Sequence, residues 1–145
     1  MRRLPDRSVI LAAIRIGGQE MQYIQTDGAP KAIGPYSQAV KLGELLFTSG
    51  QIPLDPSTGK LVEGDFEIMA RRVFQNLEAV LSASGGTFAN VLKTTVFLKN
   101  LSDFPALNAV YSEYFGDHKP ARSTVAVAQL PLDSLVEIEV IASIP

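Results

Sequence analysis

The sequence predicts a single α+β domain in which a β-sheet carries two helices on one of its faces. Three observations support this fold class. The chain has 145 residues, which suits one domain with a core large enough to need no disulfide bridges. Its apolar periodicity follows the order strand, strand, strand, helix, strand, helix, strand, strand. Two helices cover only one face of such a sheet, so we expect its other face to meet water or another subunit.

The composition is that of a globular protein, with 46% apolar and 19% charged residues. The chain has no cysteine and one histidine, His118, which excludes disulfides and thiol nucleophiles and leaves poor ligands for zinc. A net charge of −2 without a basic stripe gives nucleic-acid binding little support. The longest apolar run, Val9–Ile14, is six residues long and too short to span a membrane.

Residues 1–20 are predicted to be an extension, and residues 21–145 a single domain. The extension is rich in arginine, with only two acidic residues, and a second methionine follows it at Met21. It is either a non-conserved extension or the result of a start codon assigned too early, with Met21 as the natural first residue. The alternative is a mitochondrial targeting segment, although its arginines and apolar residues do not separate into two helical faces. We expect a cytoplasmic protein, since a chain without cysteine fits a reducing compartment.

Strands are predicted wherever short β-branched or alternating segments lie between turn residues. Before the first helix we predict them at Met21–Thr26, Tyr36–Lys41 and Leu45–Ser49. After it we predict them at Lys93–Lys99, Ser123–Gln129 and Leu135–Ala142. Loops rich in proline, glycine and aspartate separate these segments, over residues 27–35 and 52–64.

Two helices are predicted, at 65–84 and 104–115. Asp65 is a good N-cap for the first, Gly85-Gly86 ends it, and its apolar face repeats at helical spacing. Ser102 or Asp103 is expected to cap the second, whose first turn holds a proline and which Gly116 ends.

Candidate site residues lie in three segments, over residues 32–39, 47–53 and 120–124, and on the last strand. Arg122 could pair bidentately with a substrate carboxylate, or it could be an exposed arginine in a weak ion pair. Glu137 and Glu139 point to one face about 7 Å apart, where a carboxylate could orient water. The alternative is a solvated strand face.

Four further positions are open to two interpretations. Tyr36 either offers its hydroxyl to a ligand or packs at the surface. Ser49 and Gly50 either present a hydroxyl and a closely approaching backbone N–H or end the strand. Asn108 is either a ligand contact or an exposed polar position in a helix.

From about Met21 onward the chain resembles the RidA family, also called the YjgF family, of enamine and imine deaminases. The segments that carry the resemblance are AIGPYSQAV (32–40), TSGQIP (48–53), KTTVFLKNLSDF (93–104) with Asn108, PARSTVAVAQLP (120–131) and VEIEVIA (136–142). The resemblance implies a chorismate-mutase-like fold with a mixed sheet, assembled as a homotrimer with clefts between subunits. It implies hydrolysis of 2-iminobutanoate or 2-iminopropanoate to the 2-keto acid and ammonia without a cofactor or metal, which protects pyridoxal-phosphate enzymes.

The resemblance also implies roles for individual residues. Arg122 would clamp the substrate carboxylate, and Glu137 would position water or transfer a proton. The positions that would line the cleft are Tyr36, Ser49, Gly50 and Asn108. Thr124, a further substrate-binding position, stands where many bacterial relatives have cysteine; backbone groups there could still hold water, and threonine offers a hydroxyl of similar size.

Three alternatives to the enzyme remain. The first is a regulatory trimer that binds a 2-keto acid in the same cleft without turnover. The second is a nucleic-acid role, since members of the family have been described as translation inhibitors or ribonucleases, but the charge argues against it. The third is a chaperone-like role, on which the sequence is silent.

Overall fold

The computed structural model describes the backbone of residues 9–145 and the side chains of residues 14–145. Its strands form one mixed sheet of seven, in the order β1-β2-β3-β4-β7-β5-β6. The pairs are antiparallel except β5 with β6, which run parallel and are joined by a helical crossover. The strands are β1 Val9–Ile16, β2 Gln19–Ile24, β3 Ala39–Leu42, β4 Leu45–Thr48, β5 Val91–Leu98, β6 Ala121–Ala126 and β7 Val136–Ser143.

Both predicted helices are present, as α1 Phe66–Ala83 and α2 Phe104–Phe115. Asp65 caps α1 by accepting a hydrogen bond from the backbone N–H of Ile68 at 3.0 Å. The expected side-chain cap of α2 is wrong. Asp103 occupies the N-cap position without a side-chain hydrogen bond, because a 3-10 turn over Leu101–Asp103 runs directly into the helix. Its ψ of 0° is not the extended conformation that a capping side chain requires.

The core lies between the two helices and one face of the sheet. On β7 the residues alternate as predicted, and Val136, Ile138, Val140 and Ala142 are buried against the helices. Phe74 of α1 lies at the centre of an aromatic cluster with Phe88, Tyr111, Tyr114 and Phe115. Each fully buried large side chain stabilises the fold by roughly 1.5–3 kcal/mol, so this layer fixes the sheet against the helices.

The opposite face of the sheet, called here the open face, has no helix on it among the described residues. Large apolar side chains lie exposed there, including Leu45, Phe47 and Val125 at 43–45%. Glu137 and Glu139 share this face, as the alternation predicted. Exposed apolar side chains on one face make it a candidate surface for contact with another chain.

Part of the predicted extension belongs to the sheet. Val9–Ile16 pairs antiparallel with β2 through a turn at Gly17 and Gly18, and it forms one edge of the sheet. The targeting hypothesis depends mainly on arginines at positions 2, 3 and 7, which lie outside the described residues.

Candidate functional site

Glu137 borders a cavity of about 330 Å³ at the ends of β4 and β7, called here the Glu137 cavity. Its lining includes Tyr36, Ser49 and Gly50, so the structure brings these predicted site residues together with Glu137. Burial raises the pKa of the Glu137 carboxyl above its usual range, and the charge of Glu139 raises it further. A half-buried carboxyl of this kind can take a proton from water and return it at mild pH.

Gly50 makes room for the Glu137 carboxyl. A Cβ at this position would lie 2.8 Å from Glu137 Cδ and 3.0 Å from its Cγ, and closer still to Oε1. Ordinary carbon contacts are about 3.5–4.0 Å, so no larger residue fits while Glu137 keeps this position. The glycine is therefore required by close approach to the carboxyl group and not only by the end of β4.

The segment after β4 is fixed by hydrogen bonds on both sides. Ser49 N donates to Gln38 O at 2.9 Å, and Ser49 Oγ donates to Ser37 O at 2.6 Å. Gln51 exchanges two backbone hydrogen bonds with Ile138, of 2.9 and 3.1 Å. Tyr36 is 55% exposed at the rim of the cavity. The Ser49 hydroxyl therefore donates its proton within the protein, while its oxygen can still accept a hydrogen bond from a ligand or water.

Arg122 lies on β6 and borders a second cavity, called here the Arg122 cavity, which also includes Asn108. Arg122 Nη1 donates to Asn108 Oδ1 at 2.9 Å. Among the described residues no carboxylate forms an ion pair with Arg122, so the weak surface ion pair is not what holds it. Its remaining N–H groups are available to a ligand carboxylate.

Two aromatic rings that the sequence analysis did not select also hold the Arg122 guanidinium. Its Cζ lies 4.8 Å from the centroid of Tyr111 and 5.3 Å from that of Phe104. The Tyr111 hydroxyl and Thr94 Oγ1 share a hydrogen bond of 2.9 Å, and burial raises the pKa of Tyr111. Phe104, Asn108 and Tyr111 follow helical spacing on α2, which was a signal available in the sequence.

Thr124 follows Arg122 by two residues, so both point to the same face of β6. Its Oγ1 is buried and, within residues 14–145, has no hydrogen-bond partner. A buried hydroxyl without a partner costs free energy unless a water or ligand atom satisfies it. This position is therefore suited to hold a polar ligand atom close to Arg122.

Arg122 and Glu137 point to opposite faces of the sheet. Arg122 is paired with Thr94 of β5, which is buried on the helix side. Glu137 is paired with Phe97 of β5, three residues further along and so on the other side. Accordingly, the Glu137 cavity does not contain Arg122, and the Arg122 cavity does not contain Glu137. The predicted site is thus divided into two halves within one chain.

Other chemistries find little support in the part of the chain that the structure describes. His118 Nε2 donates to Val91 O at 2.7 Å beside Phe115, which is a packing role. Within that part, no three histidine, aspartate or glutamate side chains lie close enough to share a metal ion. None of the described helices is long and apolar enough to cross a membrane.

Comparison with known proteins identifies similar chains over most of this length. A family model described as endoribonuclease L-PSP matches residues 26–144. A RutC family protein of Pyrococcus horikoshii is 53% identical over 121 residues, which cover 83% of this chain and 96% of that one. Reactive Intermediate Deaminase A, chloroplastic, of Arabidopsis thaliana is 41% identical over 98% of this chain and 77% of its own. The crystal structure of RidA from an Antarctic Psychrobacter superposes with a TM-score of 0.82 and 48% identity, covering 85% of this chain and 99% of that one.

Proposed function

The chain belongs to the endoribonuclease L-PSP family, which includes the Rid proteins, and from this premise we propose that it hydrolyses reactive 2-imino acids. The products would be a 2-keto acid and ammonia, and the preferred substrates 2-iminobutanoate and 2-iminopropanoate. The structural observation that carries the proposal is the pair of half-sites: a guanidinium with free donors and a half-buried carboxyl of raised pKa. A small anion with an electrophilic carbon needs both groups.

Arg122 binds the substrate carboxylate in this proposal. Asn108 and the two aromatic rings restrict the guanidinium to one orientation before substrate arrives. Its free N–H groups can then form the two parallel hydrogen bonds that a carboxylate accepts. Thr124 Oγ1, buried beside it, is available to a polar atom of the substrate or to water. Pre-orientation reduces the entropy that is lost on binding and places C2 at a fixed position.

Glu137 transfers the proton. As a carboxylate it accepts a proton from water while the water oxygen forms a bond to C2 of the protonated imine, and the C=N π electrons move to the nitrogen. The resulting tetrahedral intermediate carries a hydroxyl and an amino group on C2. Protonation of the amino group lets ammonia leave as the C–N bond breaks, and loss of the hydroxyl proton gives the C2 carbonyl. A carboxyl whose pKa is raised by burial suits both the acceptance and the return of this proton.

We further propose that the complete site forms between two copies of the chain, in a homotrimer. Because Arg122 and Glu137 point to opposite faces of the sheet, one small substrate contacts both only if they come from different chains. The open face supports such packing, since its exposed apolar side chains would be covered by a neighbour. The Arg122 half of one copy would then meet the Glu137 half of the next.

The test couples the purified protein to a threonine dehydratase and follows the loss of the imine. Wild type should accelerate imine hydrolysis, and Arg122→Ala should lose most of that acceleration while remaining folded. Arg71→Ala is the matched control, because Arg71 pairs with Glu67 and Glu113 at the surface and lines neither cavity. It should retain wild-type activity.

Two outcomes would overturn parts of the proposal. If wild type binds a 2-keto acid but accelerates nothing, the protein is a metabolite-binding regulator and not an enzyme. If Arg122→Ala is as active as wild type, the carboxylate is bound elsewhere. Cleavage of RNA by the wild type would favour the chemistry named in the family description, against which the net charge of −2 argues.

A further inference from the structure

The loop between β2 and β3 forms one wall of the Glu137 cavity, although it has no ladder of backbone hydrogen bonds. Pro30, Lys31 and Tyr36 of this loop line the cavity. Only isolated turn contacts hold the loop to itself, such as Tyr36 N to Gly34 O at 2.9 Å. An irregular segment of this length has a large conformational freedom unless side chains restrain it. Its position therefore depends on contacts from outside the loop backbone.

One buried side chain supplies four hydrogen bonds to that restraint. Gln38 is only 3% exposed, and its amide contacts the loop four times. Gln38 Oε1 accepts from Thr26 N at 2.7 Å. Its Nε2 donates to Pro30 O at 2.8 Å, Thr26 O at 3.0 Å and Ala29 O at 3.3 Å. Both polar atoms of the amide are used, and every partner is main chain of the same loop.

The same residue also contacts a second segment that lines the cavity. Its backbone O accepts the hydrogen bond from Ser49 N at 2.9 Å. Ser49 is followed by Gly50, against which the Glu137 carboxyl lies. Gln38 thus connects the loop that carries Lys31 and Tyr36 to the segment that carries Ser49 and Gly50.

We propose that Gln38 is a positioning residue, whose side-chain amide holds the wall of residues 26–31 against the Glu137 cavity. Its effect on the reaction depends on the deaminase function proposed above, but its effect on the loop does not. The loop borders the cavity, and among the described residues it forms no ion pair with Glu137. Loss of the Gln38 contacts therefore weakens substrate binding more than the chemical step. This role requires the hydrogen bonds that Gln38 Nε2 donates, and not only the volume of the side chain.

Two substitutions separate these roles. Gln38→Met keeps the length of the side chain and removes all four hydrogen bonds. Gln38→Glu keeps the shape and the acceptor for Thr26 N, but it places an oxygen opposite three carbonyl oxygens. Asn90→Ala is the matched control, because Asn90 also donates a side-chain amide to main chain, at Ser143 O, but does not line the cavity.

The first readout is hydrogen exchange in the full-length protein. We expect exchange in residues 26–31 to be about tenfold faster in Gln38→Met, as for the loss of one net hydrogen bond, and faster again in Gln38→Glu. Exchange in α1 should be the same in both Gln38 variants as in Asn90→Ala and wild type. If residues 26–31 exchange equally fast in Gln38→Met, Gln38→Glu and Asn90→Ala, the proposal is wrong, whatever reaction the protein catalyses.

The second readout is imine hydrolysis per folded protein. KM should rise about tenfold in Gln38→Met with kcat reduced less than about threefold, which is the pattern of lost uniform binding. Asn90→Ala should keep both constants. A fall in kcat with unchanged KM, or no change once folding is corrected for, would overturn the positioning role. An inactive wild type would refute the proposed function instead, and the exchange result would still decide whether Gln38 holds the loop.

Discussion

Replacing Gly50 with alanine tests whether the position of the Glu137 carboxyl controls the reaction. The new Cβ would lie 2.8 Å from Glu137 Cδ, and ordinary contact needs about 3.5–4.0 Å. The carboxyl must therefore move by about 1 Å. A displacement of about 1 Å in a catalytic group can reduce the rate about 100-fold, which corresponds to about 2.7 kcal/mol in the activation free energy.

The fold itself should tolerate Gly50→Ala. The backbone of Gly50 lies outside the left-handed region, so alanine introduces no strain in its dihedral angles. The side chain that must yield is the end of a glutamate at the border of a cavity. We expect the melting temperature to change by no more than about 3 °C, while kcat/KM for imine hydrolysis falls about 100-fold.

A double-mutant cycle identifies the cause of that loss. In a Glu137→Ala background there is no carboxyl to displace, so adding Gly50→Ala should cost almost nothing further. The assay is imine loss under single-turnover conditions with excess protein, which can resolve the low residual rates. Full activity of Gly50→Ala would refute the reasoning, and so would an equally large loss in the Glu137→Ala background.

Two further predictions follow from the contacts around the two half-sites. Tyr111→Leu removes a ring 4.8 Å from the Arg122 guanidinium and should raise KM about 3- to 30-fold, whereas Tyr111→Phe should change it little; equal effects would contradict the cation–π role. Glu139→Gln removes a charge that raises the pKa of Glu137, so that pKa falls and Glu137 stays a carboxylate to lower pH. The acidic limb of the pH profile of kcat/KM should therefore move to lower pH. Burial still keeps the pKa of Glu137 above that of an ordinary glutamate. An acidic limb that does not move would contradict the assignment of Glu137 as the titrating group.

The sequence predicted most of the fold because the signals were local. Helix α2 begins and ends at the predicted residues, and the N-cap of α1 is the predicted Asp65. β3 begins at Ala39 and not at Tyr36, because the ladders with β2 and β4 extend only over Ala39–Leu42. β1 carried a local signal that the sequence analysis did not use, since Gly17-Gly18 between two strand-like segments is typical of a β-hairpin, and the structure pairs β1 with β2 across this turn.

The site was predicted less completely, since its arrangement depends on which face each strand presents. Residue types and the family resemblance were enough to select Arg122, Glu137 and Gly50. The separation of Arg122 from Glu137 requires the register of β5 with both of its neighbours, which no single segment encodes. The sequence also did not predict the hydrogen bonds of the Gln38 amide, because its partners are backbone atoms 8–12 residues away.

Mixing two inactive variants tests the central claim most directly. Arg122→Ala and Glu137→Ala each damage a different half-site, so each homo-oligomer should be nearly inactive in imine hydrolysis. If the site lies between copies, unfolding and refolding an equal mixture rebuilds complete sites, and random assembly restores about one quarter of the wild-type activity. If Arg122 and Glu137 act within one chain, or do not act on the same substrate, the mixture remains as inactive as its components.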